Sequence, residues 1–171
     1  LDEMVALTDR LLVLREGKSI AHDTTEAVLQ RLDLREVSAS RDAGAIFSAS
    51  VVAHDGALQL STLALGAQQI FVPGVPLPVN TAVRLQIHSH DVAIALSAPK
   101  GLSIRNVLHC RIVAIDADHA SPFAELLLDI GDGLLRSRIT RASVLELKLA
   151  VGDAVYALIK AVSVTNTAPS S

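Results

Sequence analysis

The sequence is poor in aromatic and sulfur-bearing side chains. Its 171 residues hold no Trp, one Tyr, three Phe, one Cys and one Met. The four aromatics (Phe47, Phe71, Phe123, Tyr156) and a formal net charge of −3 argue against a barrel that stacks bases and tracks a phosphate backbone. The single Cys110 excludes an intramolecular disulfide and fits a reducing compartment. No window approaches the roughly 20 apolar residues that a membrane helix needs. The first residues lack the charged, apolar and cleavable succession of a secretory leader. The chain starts at Leu1 without an initiator Met, which suggests a piece of something longer. No nucleophile stands near a base in sequence, so no enzymatic activity is expected within these residues.

What is present is half apolar, 50% by count, enough to build a core for one domain or two small ones. Leu1 to Leu7 reads as the tail of a helix. Asp9 to Leu14 reads as a buried strand, Glu16-Gly17 as a turn, and Lys18 to Ala21 as a returning strand. Asp23 or Thr24 can cap a helix from Thr25 to Leu32. Gly17-Lys18-Ser19 imitates the end of a phosphate-binding loop, but the motif needs a glycine where Leu12 stands, and extended residues follow instead of a helix. No ATP site is expected here.

Residues 35–44 are polar and short-sided and read as a linker. From Ala45 the pattern becomes short strands with turn signals: 45–53, 57–65, 68–72, 82–88 and 91–96, with a Pro-rich loop at 73–78. This punctuation predicts a mainly β, barrel-like module. The stretch LPVNTAVRLQIHSHDV from Leu77 aligns without a gap on LAVGDAVYALIKAVSV from Leu149, 72 residues on. Self-similarity at a fixed offset implies one supersecondary unit used twice, at 45–100 and 101–171. His88 of the first copy falls on Lys160 of the second. A position near Val72-Pro73 stands where the second has Ile139-Thr140, so the second copy carries the chemistry and the first serves as scaffold.

That chemistry lies in two pieces, Ser103-Ile104-Arg105-Asn106 and Arg138 to Lys160. Hydroxyls of Ser103, Thr140 and Ser143, the cations Arg105 and Lys160, and exposed turn amides are all donors. A tetrahedral dianion offers only acceptors, so a donor-only set suits it, whereas carboxylates would repel it. A short helix from Thr140 to Leu147 would turn its first amides the same way. His88, His90 and Asp91 lack a third well-spaced ligand and make a poor zinc site. Cys110 lies in a strand as a small buried hydrophobe, and Asp116, Asp118 and His119 read as a turn.

The order S-x-R-N, I-T-x-x-S, I-K-A resembles the molybdate-binding (TOBE/Mop) domain of molybdate-binding proteins and of the ATP-binding subunit of molybdate ABC importers. The resemblance implies an OB-like module of two five-stranded units, and a molybdate or tungstate ligand held by Ser103, Ile104, Arg105, Asn106, Thr140, Ser143, Lys160 and Ala161. Ile104 replaces the family's usual Ala. It further implies a homodimer whose ligand groups meet across the subunit interface, and regulation of transport by the bound anion. The stretch LDEMVALTDRLLVLREGKSIAHDTTEAVL resembles the end of an ABC ATPase domain, with Thr8-Asp9-Arg10 in place of Ala-Asp-Arg. Residues 1–34 are thus expected to be a short α/β remnant of that domain. ATP and Mg²⁺ would belong only to the rest of the parent protein. The parent would sit at the inner face of a bacterial membrane on its permease subunits. The competing expectation is a purely structural dimerisation module that binds no anion.

Overall fold

A computed structural model describes residues 10–15, 18–24, 44–117, 121–160 and 162–165. Twelve strands account for most of these. β1 (Arg10–Arg15) and β2 (Lys18–Thr24) form an antiparallel hairpin with Arg15 opposite Lys18. The helices expected at 1–7 and 25–32, and residues 35–43 of the expected linker, lie outside the described residues, so only a hairpin represents the α/β remnant. Gly44 already belongs to a strand.

The remaining strands make two sheets. β3 (Gly44–Asp55), β4 (Leu60–Leu65), β5 (Gln68–Pro73), β6 (Ala82–His88) and β12 (Ser163–Thr165) form one, in the order β12-β6-β3-β4-β5. β7 (Val92–Ala95), β8 (Asn106–Asp116), β9 (Phe123–Asp129), β10 (Leu134–Thr140) and β11 (Ala154–Ile159) form the other, in the order β7-β11-β8-β9-β10. A 3₁₀ turn (Ser89–Asp91) precedes β7, and the helix α1 (Arg141–Glu146) follows β10. Every contact between neighbouring strands is antiparallel. The mainly β, OB-like reading is the observed fold.

The two sheets repeat each other strand for strand, and the details explain the internal sequence similarity. Each long strand carries a bulge, at Val52 in β3 and Val113 in β8, which turns a valine out to 38% exposure in both. Next to each bulge sits the same turn. Val51 N–H donates to Thr81 O and its carbonyl accepts from Asn80 N–H. Ile112 does the same with Asp153 O and Gly152 N–H, all four bonds lying between 2.7 and 3.0 Å. Asn80 and Gly152, 72 residues apart, take the left-handed backbone this turn requires, with φ of 70° and 99°. The sheets also trade strands. β7 follows the first sheet in sequence but pairs with β11 in the second, while β12, at the end of the second, pairs with β6 in the first. The last residue of each aligned stretch, Val92 and Val164, lies in the traded strand.

Alternation along the strands sends one face inward. Phe47, Leu63, Leu65, Ile70, Leu85 and Ile87 from the first sheet join Leu108, Ile112, Leu126, Leu128 and Leu135 from the second in one continuous buried cluster. Two local differences from the sequence reading have clear causes. β4 starts at Leu60, not near Ala57, because the Asp55 carboxylate accepts from the Ala57 and Leu58 N–H groups (3.0 Å each) and holds the turn. β5 includes Pro73, which closes the strand opposite Leu60. β5 is an edge, where a missing N–H costs no ladder bond.

Candidate functional site

Ser103, Ile104 and Arg105 lie in the segment leading into β8, with Ser103 and Arg105 exposed and Ile104 half-buried. Lys160 follows β11 and is exposed; its backbone N–H donates to Asp91 O at 3.0 Å. Ile159 pairs with Asn106, so Arg105 and Lys160 flank the same end of the β8–β11 ladder. Among the described residues neither cation has a carboxylate partner. Two like charges at one strand end repel each other, and an anion between them would relieve that repulsion.

Thr140 ends β10 opposite Phe123 and is the N-cap of α1. Its Oγ1 accepts from the Ser143 N–H at 3.1 Å and lies 2.8 Å from the Ser143 hydroxyl. Beside it, the Arg138 guanidinium stacks on Phe123 at 4.5 Å and sits 3.7 Å from Glu125. The β8–β9 ladder ends at Asp116–Glu125, and Phe123 and Thr140 lie beyond it. The second sheet also curls round on itself: the Ser137 hydroxyl of β10 donates to Val92 O of β7 at 2.7 Å, and Val92 pairs with Ile159, next to Lys160. The expected donors fall in two groups, Ser103, Arg105 and Lys160 at the start of β8 and the end of β11, and Thr140 with Ser143 at the end of β10. Thr140 and Pro73 end equivalent strands, in keeping with the sequence reading that put Val72-Pro73 at this place in the first unit. Ala161 lies outside the described residues.

Asn106 behaves differently from the rest of its motif. It is only 7% exposed, and its carboxamide is engaged by the other sheet: the Phe71 N–H donates to Oδ1 at 2.7 Å, and Nδ2 donates to Phe71 O at 3.0 Å. A partner, Gln68, escaped the sequence reading altogether. Its Oε1 accepts from His109 N–H at 2.8 Å, and its Nε2 donates to His109 O at 3.0 Å and Ile130 O at 2.8 Å. No local pattern marks Gln68, because its partners are 41 and 62 residues away.

Other candidates fall into place as structure. His88 and His90 stack at 5.5 Å, with His90 3.7 Å from Asp91. Among the described residues no group of three or more His, Cys, Asp or Glu side chains is arranged to hold a metal. Cys110 is buried in β8, and that burial pushes its thiol from an ordinary 9.0 up to about 11. Asp116 is the last residue of β8, not part of a turn, while His119 and Asp118 lie outside the described residues. Two grooves, of about 550 and 280 Å³, border the Pro-rich loop 73–77 and include none of the expected ligand residues. His54 ties that loop down through the Ser61 hydroxyl (2.9 Å) and Leu77 O (2.8 Å), and Ser61 donates to Val75 O at 3.1 Å.

Comparison with known proteins matches residues 102–165 to the TOBE domain family. The chain is similar to the molybdenum import ATP-binding protein ModC of Mesorhizobium japonicum, 36% identical over 161 residues, which cover 94% of this chain and 43% of that protein. ModC of Rhizobium johnstonii is 35% identical, over 94% of this chain and 44% of its own length. ModC of Paramagnetospirillum magneticum is 35% identical, over 96% and 45%. The chain therefore spans less than half the length of the curated relatives it matches. Among solved structures it resembles the cytoplasmic molybdate-binding protein ModG with molybdate bound. There the TM-score is 0.60 at 25% identity, over 70% of this chain and 93% of that one.

Proposed function

We propose that this chain, whose residues 102–165 match the TOBE domain family and which is similar over nearly its whole length to ModC proteins, is an oxyanion-binding regulatory module. The ligand is molybdate or tungstate. Ser103, Arg105 and Lys160 supply one set of donors, with the Ile104 and Ala161 backbone. Thr140 and Ser143 supply the other. The observation that supports this best is the exposed pair of cations at the start of β8 and the end of β11, which has no carboxylate partner among the described residues. Hydrogen bonds to charged groups contribute about 1.5–3 kcal/mol each, so three or four converging donors suffice for tight binding.

A second copy of the chain completes the site. A homodimer brings the first set of one protomer to the second set of its partner. Residues 1–34 are the end of an ABC ATPase domain, 35–44 a linker, 45–100 a scaffold unit and 101–171 the anion-binding unit. ATP and Mg²⁺ act only in the rest of the parent protein, which energises import through membrane permease subunits at the inner face of the membrane. Bound anion that favours one dimer arrangement over another inhibits transport, and the linkage is reciprocal.

A second reading is favoured by one observation: the Thr140 and Ser143 hydroxyls already satisfy each other as a helix cap. On that reading the module only dimerises. Titration calorimetry with molybdate separates the two. Binding by the wild type, weakened in Lys160→Ala, supports the anion reading; no heat at high protein concentration leaves the structural one.

A further inference from the structure

Two strand edges face each other between the sheets. β5 is the outer strand of the first sheet. On its β9 side, β8 is paired only from Arg111 to Asp116, so Asn106 to Cys110 also present an edge. The two edges do not join by a backbone ladder. Instead each sends one carboxamide onto the other's backbone: Asn106 of β8 takes both the N–H and the C=O of Phe71, and Gln68 of β5 takes both the N–H and the C=O of His109. A primary amide matches a peptide group in having one acceptor face and one donor face, so each side chain replaces one rung of an antiparallel ladder.

We propose that Asn106 is a positioning residue and not an anion ligand: its grip on Phe71 fixes the direction in which the chain leaves β8 and hence where Arg105 and Ser103 stand. The inference rests on the anion-binding reading above and changes one residue's part in it. The reason is geometric. Asn106 is the first residue of β8, and the three residues before it have no ladder of their own. Its carboxamide is buried and turned toward the first sheet. The scaffold unit thereby enters the binding equilibrium, because β5 must be in place before Arg105 is.

The test uses the 171-residue chain, molybdate as probe, calorimetry for affinity and amide hydrogen exchange for the clasp. Asn106→Ala is expected to weaken molybdate binding about tenfold or more and to deprotect the Phe71 amide. Gln68→Ala is expected to weaken it about threefold although Gln68 reaches no proposed ligand, and the double variant to lose less than the two losses combined. Gln68→Ala also serves if Asn106→Ala fails to fold. Unchanged affinity in Gln68→Ala beside a large loss in Asn106→Ala would return Asn106 to the ligand shell and overturn the proposal. So would a Phe71 amide that exchanges equally in wild type and Asn106→Ala. If the wild type itself binds no molybdate, the anion reading fails first and this inference goes with it.

Discussion

Arg105 and Lys160 stand at one strand end, and among the described residues no carboxylate pairs with either. Exposure means that Arg105→Gln removes charge without removing packing, so stability should stay within about 0.5 kcal/mol. Molybdate affinity should fall by about 10- to 100-fold, the equivalent of one charge-assisted hydrogen bond. Parallel urea melts and titrations check both halves. Cys110 makes a prediction of another kind. Its folded-state value of about 11 lies above the ordinary 9.0, so between those values the folded chain holds a proton that the unfolded chain has lost. Stability is therefore full below pH 9 and declines as pH rises toward 11. Denaturant midpoints measured across that window should slope downward, and less so in Cys110→Ala; native protein at neutral pH should resist thiol reagents until it unfolds. Residue chemistry was largely legible in the sequence where it depends on residue type, as for the buried thiol and the short helix after β10. It was illegible for Asn106, because only a contact with Phe71, 35 residues away, sets its task.

At the scale of elements, the strand spans were read closely because Gly, Asn, Asp and Pro mark the ends. β6 runs over Ala82–His88 as expected, and β1 and β2 pair with Arg15 opposite Lys18. The 72-residue repeat was legible too, and its physical content is the shared turn at Asn80 and Gly152. The two positions are not equally tolerant. Gly152 at φ 99° lies further from what a side chain can adopt than Asn80 at 70°. Gly152→Val should cost about 1–3 kcal/mol, whereas Asn80→Gly should change stability by only a few tenths. Urea midpoints of the two variants decide this. Equal, small effects would mean that the turn relaxes without strain.

At the scale of the molecule, the exchange of β7 and β12 was not legible. Both segments read as ordinary strands, and nothing in a short apolar run states which sheet it will join. Each sheet is completed by a strand from the other's half of the sequence, and both sheets share one core. Removing residues 162–171 should therefore unravel the first sheet from its β6 edge, although that sheet's other strands end at His88. Circular dichroism and an amide-exchange readout at β3 should fall together, in a single transition, at lower denaturant than in the full chain. A loss confined to the second sheet would contradict the exchange.

The clasp at β12 also has a consequence in time. A ribosome makes the first four strands of the first sheet early, but the strand that covers β6 emerges last. At about 5–20 residues per second, synthesis from His88 to Ser163 takes roughly 4–15 s. Throughout that interval the nascent chain carries an uncovered β edge, open to chaperones or to the same strand of a neighbouring nascent copy.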